Sequence, residues 1–316
     1  MAHEIESMAF AAHQAPWHGL GVPLADAEGY DWPLVAKKAG LDWQVELVPL
    51  QTADTQVAVE HRGVRRSSDN KLLGVVGPRF CPLQNTDAFA WFQPFLDARE
   101  ARLETAGALR GGSRVWVLAK IARDPIEVAK DDTVDKFLLL SHGHDGSLAV
   151  RVGFTPVRVV CQNTLTLAHT ADASKLIRLR HSKSLRSNLL NVREVVDAAN
   201  AEFAATAEQY RWLARRDINQ ADLRRYVRRV LKVGEDEVPS ARTANVIEQI
   251  IELAETGTGN DLPSVAGTWW AAVQGFTHFL SHTRGRSPAT RLDSLWFGDG
   301  AAMNKLALET AIHMAA

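Results

Sequence analysis

The stretch Ser141–Leu165 reads S-H-G-H-D-G-S-L-A-V-R-V-G-F-T-P-V-R-V-V-C-Q-N-T-L. Two runs of β-formers, Phe137–Ser141 and Leu148–Val160, flank the polar segment His142–Ser147. Asp145-Gly146 is a strong two-residue turn signal, so the block predicts an antiparallel hairpin. The following segment, from Cys161 or Asn163 to about His169, reads as a helix, with Asn163 and Thr164 as its cap.

Working outward, the same pattern recurs. Leu103–Leu109 and Ser113–Ile121 predict a second hairpin around Arg110-Gly111-Gly112. Trp43–Val76 alternates polar and apolar residues and turns at Ser68–Asn70, which predicts an antiparallel meander. Asp31 is placed to cap a short helix that Gly40 ends. Asn85 or Thr86 caps another helix, running to about Ala98 with Phe89, Phe92 and Leu96 on one face and a break or kink at Pro94. No period of about 30 residues alternates strand and helix, so a doubly wound parallel sheet is disfavoured.

Beyond about Lys183 the periodicity becomes helical. Leu189–Leu213, Asn219 or Gln220 to Leu231, Ala241–Ala254, Val265–His282 and Ala301–Met314 each carry apolar residues at helical spacing. The expected class is therefore α+β: an N-terminal antiparallel sheet with helices over residues 1–182, then a mainly helical region over 183–316.

The 316 residues are 46% hydrophobic and 23% charged, which suits a folded globular chain and excludes a disordered one. No apolar run approaches the ~18 residues that span a membrane, and the N-terminal segment has no signal-peptide pattern. Cys81 and Cys161 are the two cysteines, too few for a disulfide framework, so the cytoplasm is the expected compartment.

Net charge is −1, but it is unevenly spread. Lys37 and Lys38 are the only Lys or Arg residues before position 61, whereas residues 171–232 hold fourteen basic residues against seven acidic ones. Such asymmetry suggests a face for a polyanion. Arg151 and Arg158 sit inside an otherwise apolar strand pattern, and a guanidinium there needs a carboxylate or a phosphate. Arg158 either meets an internal acid, Asp145 or Glu104, or lines a groove. Lys175, Arg178, Arg180 and Lys183 continue the basic run. Arg224, Arg225, Arg228 and Arg229 cover one face of a predicted helix, with Tyr226 and Val230 inward. That face is either salt-bridged to neighbours or available to phosphates. A further basic loop, T-R-G-R-S-P-A-T, occupies Thr283–Thr290.

Other chemistry is weighed against these. His142, His144 and Asp145, with Cys161, His169 or His181, contain metal-ligand and nucleophile types, but paired ligand spacing is missing. The turn at Asp145-Gly146 and a buried, inert Cys161 account for the same residues. Gly107, Gly111 and Gly112 suggest an anion nest, yet no G-x-x-x-x-G-K-[ST] is present and a hairpin turn needs those glycines anyway. No cofactor is expected.

H-D-G-S and R-V-V-C-Q-N-T-L, with W-H-G-L-G at Trp17–Gly21, P-L-Q-N at Pro82–Asn85, E-T-A-G-A-L-R-G-G at Glu104–Gly112 and W-F-G at Trp296–Gly298, resemble a phage- and plasmid-encoded family known as domain of unknown function nine-three-two. The resemblance implies a mobile-element context and, through neighbouring recombination and replication genes, DNA metabolism. The sheet-then-helices order is similar to that of phage single-strand annealing proteins, which implies a homo-oligomer on single-stranded DNA. The leading expectation is thus a non-enzymatic nucleic-acid-binding protein. The alternatives are a metal- or cysteine-dependent enzyme centred on His142, His144, Asp145 and Cys161, and a structural or host-interaction protein whose aromatic C-terminal helix binds a partner.

Overall fold

A computed structural model describes residues 5–12, 21–121, 125–158, 163–164, 177–179, 192–285, 291, 294–295 and 298–316. The fold is α+β, with strands dominating the N-terminal part and helices the C-terminal part. The chain forms two compact units. The first comprises Met1–Arg123, Phe137–Phe154 and Ser174–Ala198; the second comprises Asp124–Lys136, Thr155–Ala173 and Ala199–Ala316. The chain passes from one to the other within strands β9 (Asp132–Gly143) and β10 (Val150–Arg158).

In the first unit the expected meander is present as β3 (Val45–Gln51), β4 (Ala58–Arg66) and β5 (Leu72–Val76), paired antiparallel in that order. A larger sheet runs in the order β10, β9, β7 (Arg114–Ile121), β6 (Ala101–Leu109), β1 (Ile5–Ala11) and β2 (Val22–Leu24). The β6–β7 hairpin pairs Leu109 with Arg114 and turns through Arg110, Gly111 and Gly112, whose φ angles are 51°, 64° and 88°. Left-handed backbone of this kind is strained for a residue with a Cβ, which explains the glycine pair. The short strand β12 (Ile177–Leu179) pairs with β10.

Helix α1 (Trp32–Lys38) begins as expected, with the Asp31 carboxylate accepting from the Leu34 N–H at 3.1 Å. The single helix expected over residues 85–98 is instead two, α2 (Asn85–Ala90) and α3 (Gln93–Asp97). Pro94 lacks an N–H, and the chain restarts so that proline falls in a first turn, where that donor is not needed. Asn85 does not cap α2; its amide donates to Leu41 O at 3.0 Å inside the core. Trp32, Val35, Leu41, Phe89, Phe92, Leu96, Val117 and Leu140 fill that core with the inward residues of the sheet.

The second unit is built on α4 (Val192–Ala214), α5 (Gln220–Val230), α6 (Ala241–Thr256), α7 (Trp269–His278) and α8 (Asp299–Ala315). Asn219, Ser240 and Thr268 each cap the next helix through a side-chain oxygen. The fourth expected helix starts at Trp269 rather than Val265, because Gly267 takes a φ of 71° and Thr268 then caps. α6 and α7 approach so closely that a Cβ at Gly275 would lie 2.5 Å from the Ala254 N atom. Tyr210, Tyr226, Ile250, Trp270, Phe276 and Leu308 lie in this core. The hairpin of β8 (Ile126–Ala129) with the start of β9 belongs to the same unit, and the Trp270 indole N–H donates to the Asp132 carboxylate at 2.7 Å. Desolvation pushes the hydroxyls of the buried Tyr210 and Tyr226 far above the usual phenol range.

Candidate nucleic-acid interface

Val150 and Val152 of β10 are fully buried, and Arg151 between them is half-buried. This is ordinary strand alternation: the flanking residues enter the core and the arginine takes the other face. The antiparallel register of β10 with β12 sets Arg151 directly opposite Arg178, between the Val150–Leu179 and Val152–Ile177 pairs. Directly opposed positions of an antiparallel pair share one face of the sheet, so this register puts two basic residues at one point of the ladder.

Arg158 lies near the far end of β10, in the second unit, opposite Asn163. Asn163 and Thr164 form the strand β11 and are not the helix start that the sequence suggests. An Asn-Thr pair serves either role, and the two-residue ladder with Val157 and Arg158 decides it here. Lys175, Arg180 and Lys183 lie outside the described residues, as do Cys161, His169 and His181. The two acids weighed as partners for Arg158 each have a described contact. Glu104 pairs with Arg102 at 2.6 Å, and the Asp145 carboxylate accepts from the Ser147 N–H and hydroxyl.

The basic helix α5 has a different arrangement. Tyr226 and Val230 face inward as expected, and the Tyr226 hydroxyl donates to Ala307 O at 3.1 Å. Arg224 forms a two-pronged pair with Glu248 of α6 at 2.5 and 2.9 Å. Arg225 pairs with Asp222 one turn back. Arg228 donates to the carbonyls of Gly234, Glu235 and Glu237, binding the loop after the helix to its last turn. The Arg224 guanidinium holds the Glu248 carboxyl below its ordinary range, and Arg225 does the same to Asp222. Arg229 is exposed and makes no ion pair among the described residues.

His142 and His144 are fully buried in the first unit. β9 continues through His142 to Gly143, and His144 follows at once, at the start of the bend after the strand. Their rings meet edge to face at 4.7 Å. His144 faces the Asn85 side-chain oxygen at 3.2 Å and packs at 5.1 Å from the Trp43 ring. Arg66 lies over the other part of that indole and pairs with Glu6 and Asp69 at 2.7 and 2.6 Å. This network joins strand ends to the core. Arg66 was legible only as one of two arginines before a turn, and its 6% exposure comes from tertiary packing. Among the described residues no group of three or more His, Cys, Asp or Glu side chains is placed to hold a metal ion.

The family described as a domain of unknown function, DUF932, matches residues 72–296, a span that contains β10, β12 and α5. No curated protein and no solved structure matches the chain.

Proposed function

We propose that this chain, which belongs to the DUF932 family over residues 72–296, binds single-stranded nucleic acid. On this reading it is a non-enzymatic, cytoplasmic homo-oligomer of a phage or plasmid and acts in DNA recombination or replication. The contact face is the β10–β12 ladder, and Lys175, Arg180 and Lys183 adjoin β12 in the sequence. The register that opposes Arg151 to Arg178 carries the proposal. Two arginines at directly opposed positions of one ladder can each give a phosphate a charge-assisted contact, and arginine suits that geometry better than lysine. Single-stranded DNA is favoured because an extended strand edge can follow a single backbone. Arginine planes also stack on unpaired bases.

A fluorescent single-stranded oligonucleotide, titrated by anisotropy across a sodium chloride series, tests this. Binding should weaken steeply with salt. Each arginine removed by Arg151→Ala or Arg178→Ala should lower the log–log slope by about 0.7, the share of one single-strand phosphate contact. Arg151→Lys should recover the slope but not the full affinity. Absence of salt-sensitive binding by the unmodified protein would end the nucleic-acid reading.

A further inference from the structure

Helix α7 ends in a way that builds a second, separate feature in the second unit. It widens into a π-turn over Phe279–Thr283, closed by the Arg284 N–H donating to Phe279 O at 2.7 Å. Turns of this type are rare and sit disproportionately at functional sites. Arg284 follows immediately, and the Nε of Arg291 donates to the Arg284 carbonyl at 2.7 Å. The two arginines line one cavity of about 230 Å³ with Leu280, Gly285, Ser294 and Gly300.

The cavity has positive charge and little to answer it. Both arginines are half-buried, and neither pairs with a carboxylate among the described residues. Among the described residues Arg284 Nη1 meets the Met303 sulfur, at 3.2 Å, which is a weak acceptor. Burial depresses the Arg291 pKa by desolvating the guanidinium. Two desolvated guanidiniums that share a cavity repel each other, and an anion between them removes both costs. The other lining groups agree in sign. The α8 N-terminus, with Gly298 as its cap residue, brings the positive end of the helix to the cavity through Gly300. The Ser294 hydroxyl accepts the Gly300 N–H at 3.0 Å, which leaves its own proton to donate. Asp299, the acid of that first turn, is exposed and does not line the cavity.

We infer that the cavity formed by Arg284, Arg291, Ser294 and Gly300 is a binding site for one phosphate group. Two guanidinium forks and a hydroxyl match the several acceptor oxygens of a phosphate better than the two of a carboxylate. The volume is below the ~300–1,000 Å³ of pockets that enclose a drug-sized ligand, so it suits a phosphate and part of its ester, not a whole cofactor. The phosphate is either free, as inorganic phosphate or a nucleoside monophosphate, or belongs to a nucleic-acid strand.

Thermal unfolding and tryptophan-fluorescence titration of the full chain decide both points. The ligands are inorganic phosphate, a nucleoside 5′-monophosphate, and one oligonucleotide with and without a 5′-phosphate, each at ionic strength matched with sodium chloride. The expected result is a saturable rise in Tm with at least one phosphate ligand and none with chloride. Arg291→Ala should weaken that ligand at least tenfold. Arg284→Gln, which removes the charge but keeps a polar side chain, should do the same and covers the case in which Arg291→Ala does not fold. Preference for the free monophosphate or the 5′-phosphorylated strand marks a terminal phosphate. Equal response to both oligonucleotides marks a backbone phosphate. No response to any ligand, or an equal response in the variants, overturns the site. The variants Arg151→Ala and Arg178→Ala should leave the inorganic-phosphate response intact, so this site and the β10–β12 interface fail or stand separately.

Discussion

The arginines of α5 and those of the β10–β12 ladder have the same charge and different surroundings. On α5, Arg224 and Arg225 are matched by Glu248 and Asp222, and Arg228 is occupied by three loop carbonyls. On the ladder, Arg151 stands opposite another arginine. The helix has the higher density of positive charge in the sequence and the ladder the lower. Charge density favours the helix as a polyanion face, and the proposed function favours the ladder. A guanidinium already held by a carboxylate must break that contact before it can take a phosphate, so on the proposed reading α5 contributes less than its charge suggests.

The largest effect should appear when the ladder is broken. With Arg151 and Arg178 both replaced by alanine, two charge-assisted contacts of about 1.5 kcal/mol each are lost, or roughly a hundredfold in oligonucleotide affinity. The triple variant Arg224→Ala, Arg225→Ala, Arg228→Ala removes more positive charge and should cost under about fivefold, because only diffuse attraction is lost. Anisotropy titrations at one salt concentration compare them directly. A larger loss from the helix variant would reverse the ranking.

The next effect is one of stability, and it separates members of the same helix. Arg228→Ala removes three hydrogen bonds from a charged donor and releases the loop at Gly234–Glu237. Urea unfolding should show a loss of about 1–3 kcal/mol. Arg229→Ala, at an exposed position with no ion pair, should stay within about 0.5 kcal/mol. Equal losses would mean that the internal contacts of α5 do not hold the helix end.

Much of this architecture was legible beforehand, and the failures share a cause. The β6–β7 hairpin, the meander and the cap at Asp31 rest on local chemistry: a left-handed glycine turn, alternation of side chains, a side-chain oxygen bonded three residues on. The errors at Asn163-Thr164 and Val265–Thr268 arise where one local signal fits two structures and a tertiary partner selects between them. The basic residues of the candidate interface were named from composition. The opposition of Arg151 to Arg178 is a matter of strand register, which depends on how distant segments align and not on either segment alone. The cavity between Arg284 and Arg291 was invisible for the same reason: its loop reads as basic and exposed, yet Arg291 bonds back to Arg284 across seven residues.

The smallest effect concerns the α5–α6 pair and gives the comparison its pH dependence. Arg224 and Glu248 side chains are 50% and 60% exposed, so water screens their attraction. A double-mutant cycle with Arg224→Ala and Glu248→Ala should give a coupling of about 0.2–1 kcal/mol at neutral pH. The Glu248 and Asp222 carboxyls titrate lower in the folded chain than in the unfolded one, held down by Arg224 and Arg225. Their contribution is complete above the unfolded carboxylate range, near pH 4, and is lost as pH falls through the folded values. The coupling should therefore be constant from pH 8 to about pH 5 and vanish in more acidic solution. As those carboxylates protonate, Arg224 and Arg225 are released, and α5 begins to resemble the ladder. Oligonucleotide affinity of the Arg151→Ala, Arg178→Ala variant should then rise modestly on acidification, and adding Arg224→Ala and Arg225→Ala should abolish the rise. If the rise persists without those two arginines, internal pairing is not what keeps α5 from binding.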